Sequence, residues 1–134
     1  MAFFGEYEVS VTEGSRIVLP KKVRDNLIGS TFILTKGYDI CLAGYDKNDW
    51  DSRVGELTKI SLLDTDHVSK RRVLFSGANE IEIDAQGRFV IPKTLSGYID
   101  IANTTLTIIG VGDHFEIWES NSWHDYLKEN RVKI

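Results

Sequence analysis

The chain has 134 residues, 42% of them hydrophobic and 27% charged, with a formal net charge of −4. That length makes one ordinary domain or two very small ones, and a unit of about 65 residues buries too small a share of its surface to stand alone. No apolar run reaches the roughly 18 residues needed to span a bilayer, the start MAFFGEYE lacks the basic region of a signal peptide, and the single cysteine, Cys41, excludes an internal disulfide framework and suits a reducing cytosol.

The first predicted element is a strand over about 6–11, where Val9 and Val11 alternate with polar residues. A tight turn, Thr12-Glu13-Gly14-Ser15, leads to Arg16 and a second strand over 16–19. Pro20 starts a short helical turn with Val23 and Leu27 on one face, because proline suits the first helical position. Strands follow over 31–36 and 39–45. Asp46 or Asn48 opens a helix to about Ile60, and Asp64 or Thr65 opens another to about Phe75. The order then begins again. A strand over 79–84 meets the turn Asp84-Ala85-Gln86-Gly87, Arg88 starts a strand over 88–91, and Pro92 precedes Leu95 and Ile99. Strands over 104–110 and 113–118 and a helix from Ser120 or Asn121 to about Asn130 complete the chain.

The second round copies the first in residue type as well as order. RIVLPK at Arg16 returns as RFVIPK at Arg88, 72 residues on, with GEYEVSVTEGSR matching GANEIEIDAQGR upstream. After a one-residue shift, Gly37 falls on Gly110, Tyr45 on Trp118, Asp46 on Glu119 and Trp50 on Trp123. The predicted organisation is a first repeat over 1–60, a linking helix over 61–76 and a second repeat over 77–134, packed together as one unit.

The copies differ at the turn before the arginine. Asp84 can accept backbone N–H groups of its own turn, Gly87 tolerates a positive φ, and Arg88 can fold back onto the Asp84 carboxylate as a two-point pair. In the first copy Thr12 stands in place of the aspartate, and the glycine comes one residue earlier, so Thr12 cannot neutralise Arg16 and only Glu13 is nearby. Basic residues are biased the same way. Lys21, Lys22 and Arg24 are matched by Lys93, Thr94 and Ser96, and residues 1–72 balance 11 Lys/Arg against 11 Asp/Glu while 73–134 hold 5 against 9.

In this order and spacing, the doubled hairpin arginine followed by an apolar strand and a proline resembles the MraZ family over nearly the whole chain. RRVLFSGANEIEIDAQGR and FEIWESNSW carry the likeness further. The resemblance implies a mainly β, α+β fold: two tandem AbrB-like swapped-hairpin units around a pseudo-twofold, double-ψ-type β-barrel core. It implies a cytoplasmic, nucleoid-associated transcriptional regulator. Such a protein assembles into a homo-oligomeric ring, an octamer or dodecamer, binds direct repeats in promoter DNA, and represses its own division and cell-wall gene cluster. Arg16, Lys21, Lys22 and Arg24 are then the expected DNA-binding residues, and Asp84 with Arg88 a structural pair. Two departures stand out: the missing first aspartate, and Gly14-Ser15 where the family commonly has a basic residue. They keep open a ring-forming module without DNA readout, or an antitoxin-like AbrB protein.

No other motif competes. There is no Walker loop, G-x-S-x-G or H-E-x-x-H, so no catalytic residue, cofactor, metal, membrane or small-molecule substrate is expected. Trp50, Trp118 and Trp123 read as packing anchors, and His67, His114 and His124 as isolated histidines. Cys41 reads as buried, and Lys70-Arg71-Arg72 as a solvated stretch of the linking helix or as inter-subunit ion pairs.

Overall fold

A computed structural model of the chain describes residues 2–101 and 105–130. In chain order the elements are β1 Glu6–Ser10, β2 Arg16–Val18, α1 Lys21–Arg24, β3 Thr31–Lys36, β4 Leu42–Tyr45, α2 Lys47–Thr58, α3 Thr65–Ser76, β5 Asn79–Glu82, β6 Arg88–Val90, α4 Lys93–Ser96, β7 Thr105–Gly110, β8 Phe115–Glu119 and α5 Ser120–Asn130. The order expected from the repeat is the order observed, and Thr104, placed at the start of a strand, lies outside the described residues.

Some boundaries differ from those expected, and two of the differences have a clear physical reason. β4 begins at Leu42, not Asp39, because the Cys41 N–H turns back to the Asp39 carbonyl at 2.7 Å and the Gly37 N–H reaches the Cys41 carbonyl at 2.8 Å. Those bonds close a tight turn whose Tyr38 and Ile40 side chains are exposed. Pro20 and Pro92 occupy the cap position, not the first helical one, and their carbonyls accept from Val23, Arg24, Leu95 and Ser96. Asp46 and Asp64 cap α2 and α3 by accepting from the N–H groups of Asn48 and His67.

Six strands form one antiparallel sheet in the order β1-β7-β8-β4-β3-β5, and β2 pairs with β6 in a separate ribbon. The first strand of each copy has left its own half. β1 pairs with β7, from Glu6↔Ile109 to Ser10↔Thr105, and β5 pairs with β3, from Thr31↔Glu82 to Leu34↔Asn79. β4 meets β8 at the middle of the sheet through Ala43↔Glu116. This exchange answers the length argument: neither half keeps its own edge strand, so neither closes a core alone.

The sheet is not a closed barrel. It ends at β1 and β5, and among the described residues no pairing joins those ends. β1 cannot run on into β2, because the turn leaves only the bridge Thr12↔Arg16 between them. One core nonetheless fills the space between sheet and ribbon. Ile17, Leu19, Val23, Phe32, Leu34 and Leu42 from the first copy pack with Phe89, Ile91, Leu95, Leu106, Ile108 and Phe115 from the second. Phe32 sits edge-on to Phe89 at 5.1 Å, joining sheet to ribbon across the copies. No helix of the described residues is long and apolar enough to cross a membrane.

Candidate nucleic-acid interface

The ribbon decides which side chains face out. Its central residues Ile17 and Phe89 pair with each other and point into the core, so period two sends Arg16, Val18, Arg88 and Val90 to the opposite, exposed face. Arg16 lies directly across from Val90, and Val18 from Arg88. The ribbon's ends are tied between the copies: the Leu19 N–H donates to the Gly87 carbonyl at 2.8 Å, and the Ile91 N–H to the Ser15 carbonyl at 2.9 Å.

At the second turn Asp84 is fully engaged. Its Oδ1 accepts from the backbone N–H groups of Gln86 and Arg88, both at 2.9 Å, and its Oδ2 accepts from Arg88 Nε at 2.8 Å. The side-chain pair is therefore one-point, since the backbone takes the other oxygen. These bonds, led by the Arg88 N–H and then its guanidinium, hold the Asp84 carboxyl below the usual carboxylate range. Gly87 has φ +83°, and a Cβ there would lie 2.6 Å from Arg24 Nε.

The first turn keeps its hairpin and loses the clamp. Thr12 Oγ1 donates to the Arg16 carbonyl at 3.0 Å, the same carbonyl that the Thr12 N–H reaches at 2.8 Å. Among the described residues, the Arg16 side chain has no hydrogen bond or ion pair, and Glu13 does not supply one. Ser15 stands where the second copy has Gly87, at φ +58°, the sole non-glycine with positive φ among the described residues.

The exchange also divides the basic residues. Because β2 and β6 are antiparallel, α1 lies at the second turn and α4 at the first. Arg24 donates to the Leu19 carbonyl at 2.9 Å and lies against Gly87, so it is part of the second turn's scaffold. Lys21 pairs with Asp25 at 3.1 Å on the surface, and Lys22 is exposed. The first turn instead shares a groove with Ser96, Asp100 and Ile101. Arg16 is thus separated from Lys21, Lys22 and Arg24 by at least the length of β2, three residues or roughly 7–10 Å at about 3.3 Å per residue. It borders a groove with Glu80, Glu82 and Asp84. Nothing in the linear pattern signals this regrouping, since it comes from pairing between residues about 72 positions apart.

The remaining candidates are structural. Trp118 is buried and its Nε1 donates to Glu116, Trp50 packs on Tyr45 and Phe75, and Trp123 donates to Glu6. Arg71 donates to the Leu57 carbonyl, capping α2 from α3, while Lys70 and Arg72 are exposed. Cys41 is buried, and burial pushes its thiol up, out of the reactive range. Among the described residues, His114 is the one histidine in an ionic cluster. Its Nδ1 lies 2.7 Å from Asp113, its Nε2 3.2 Å from Glu116, and its ring stacks on Tyr45. Burial pulls its pKa down, but the hydrogen bonds and charges of Glu116 and Asp113 outweigh that and hold it above the ordinary value.

Comparison with known proteins matches this doubled architecture. A family model described as "MraZ protein, putative antitoxin-like" matches twice, over residues 2–73 and 74–133. The chain belongs to the MraZ family. The two matches meet near the end of α3, so α3 falls largely within the first of the family's repeats. Relatives bear the family name. The transcriptional regulator MraZ of Clostridium tetani is 43% identical over 128 residues, covering 96% of this chain and 89% of the relative. Those of Acetivibrio thermocellus and Finegoldia magna are each 39% identical over 130 residues, covering 97% of this chain and 90% of theirs. The family's name is that of regulators, not of enzymes.

Proposed function

We propose that the chain is a sequence-specific DNA-binding transcriptional regulator, a cytoplasmic and nucleoid-associated repressor of its own division and cell-wall gene cluster. The exchanged strands and the cross-copy ribbon support reading the two halves as AbrB-like swapped-hairpin units. The single observation that carries the DNA reading is the contrast between two equivalent arginines. Arg88 is tied to Asp84, while Arg16 is exposed and has no side-chain partner among the described residues. An arginine fork on guanine O6 and N7 discriminates by about 1–3 kcal/mol, and only a free guanidinium can supply it. Lys21 and Lys22 add phosphate contacts at the far end of the ribbon, and Arg24 acts mainly through the turn it supports. A net charge of −4 is compatible with this, because a homo-oligomeric ring, octameric or dodecameric, repeats each patch in one orientation and raises apparent affinity for direct repeats.

A second reading has its own observation. The groove beside Arg16 carries three carboxylates, Glu80, Glu82 and Asp84, with Arg88 paired to Asp84 and Lys47 to Glu80, and that acidic balance favours a ring-forming or antitoxin-like interaction module without DNA readout.

Fluorescence anisotropy with a duplex carrying the direct repeats upstream of the gene, against a scrambled duplex, separates the two. The DNA reading expects preference for the repeats and a steep fall with salt. It also expects about tenfold or greater weakening in Arg16→Ala, and weakening in Thr12→Asp, which recreates the clamp. Equal weak binding to both duplexes selects the second reading.

A further inference from the structure

The exposed face of the ribbon holds more than arginine. Val18 and Val90 are 46% and 47% exposed, at equivalent positions of the two copies. Each stands directly across the ribbon from the other copy's arginine. β-branched residues favour strands, but threonine would serve that preference on a wetted face, and both copies place valine. Cross-strand neighbours on one face have Cβ atoms about 4.5–5.5 Å apart. Successive bases along a DNA strand rise by about 3.4 Å, so that separation is more than one step and less than two, within reach of neighbouring bases. A two-stranded ribbon fits the major groove, where thymine offers a C5-methyl group and guanine its O6 and N7.

We infer that Arg16 and Val90 form a single reading unit, assembled from both copies, that recognises a guanine beside a thymine, Val90 packing on the thymine methyl. The inference rests on the DNA-binding reading above. The occupant is duplex DNA because the free guanidinium of Arg16 complements a polyanion with acceptor-rich base edges. Val18 is the weaker candidate, since the arginine opposite it is held by Asp84. The pairing also gives the fusion of two copies a consequence: Arg16 alone reads one base, and the neighbouring base is read from the other repeat.

The test replaces thymines of the direct-repeat duplex, one at a time, by deoxyuridine, which keeps the base pair and removes only the methyl. Anisotropy on the unaltered protein should show one position per repeat where uracil weakens binding by about fourfold, the effect of one buried methyl group. Val90→Ala should bind the thymine duplex as weakly as wild type binds the uracil one, and lose the difference between them. Val18→Ala should keep that difference. Specific binding to the repeats with no uracil-sensitive position overturns the role of Val90 and leaves the DNA reading standing. A sensitivity that survives in Val90→Ala also overturns it. No preference for the repeats over a scrambled duplex removes the DNA reading and this inference together.

Discussion

The two hairpin turns share a backbone plan and differ in how firmly they are held. The second is clamped twice: by Asp84, which gathers two backbone N–H groups and Arg88 Nε, and by Arg24, which reaches over from the first copy to lie against Gly87. The first turn has neither clamp. The Thr12 side chain makes one bond, to the Arg16 carbonyl, Ser96 stands where Arg24 would be, and Ser15 takes a left-handed conformation without glycine's freedom. Duplication within one chain lets the copies diverge in this way. One turn is held as scaffold, and in the other the arginine has no side-chain partner among the described residues.

Variants of the turn residues probe that contrast, beginning with the glycines. Gly14→Ala and Gly87→Ala each force a side chain into positive φ, costing about 1–2 kcal/mol. Nothing lies within 4 Å of a Cβ at Gly14, whereas one at Gly87 displaces Arg24 from the Leu19 carbonyl. Gly87→Ala should therefore cost about 1 kcal/mol more in urea unfolding, and the excess should vanish in an Arg24→Ala background. Equal costs in the wild-type background would show that Arg24 is no clamp.

Ser15→Gly gives the first turn the residue that the second already has. Relief of the left-handed strain exceeds glycine's added chain entropy, so stability should rise by about 0.5–1 kcal/mol. An unchanged or lower stability would mean that the turn carries no strain.

The smallest effect concerns the turns at the far end of the sheet, where Cys41 of the first copy corresponds to His114 of the second. Cys41 is buried and stays neutral, while His114 lies between Asp113 and Glu116, with Arg53 of α2 pairing Asp113 at 2.5 Å and Tyr45 stacked beneath. The folded pKa of His114 is raised, so its contribution is complete below the unfolded value of 6.5 and is lost as pH rises through the folded one. Unfolding free energy should decline on going from pH 6 to pH 8, and His114→Gln should flatten that decline. A parallel pH profile in the variant would remove His114 as its source.

Much of the architecture was legible in residue type alone. The doubled RIVLPK and RFVIPK, the proline-led turns and the aspartate caps fixed the kind and order of every element, because each is a local preference of a few residues. The Asp84–Arg88 pair was legible for the same reason, the two being four residues apart. The turn at Tyr38–Ile40 was not, since apolar side chains there imitate a strand and only the backbone bonds reveal the bend.

The sequence by itself determined two copies of one motif, their elements and the chemical difference between their turns. The tertiary structure alone decided which copy each piece serves. β1 crosses to β7, β5 crosses to β3, and the antiparallel ribbon carries Arg24 to Gly87 and sets Val90 beside Arg16. The physical reason is that the copies are nearly identical as local patterns, so local preference cannot say with which half a strand pairs. That choice belongs to the shared core, which closes only when each half lends its first strand to the other.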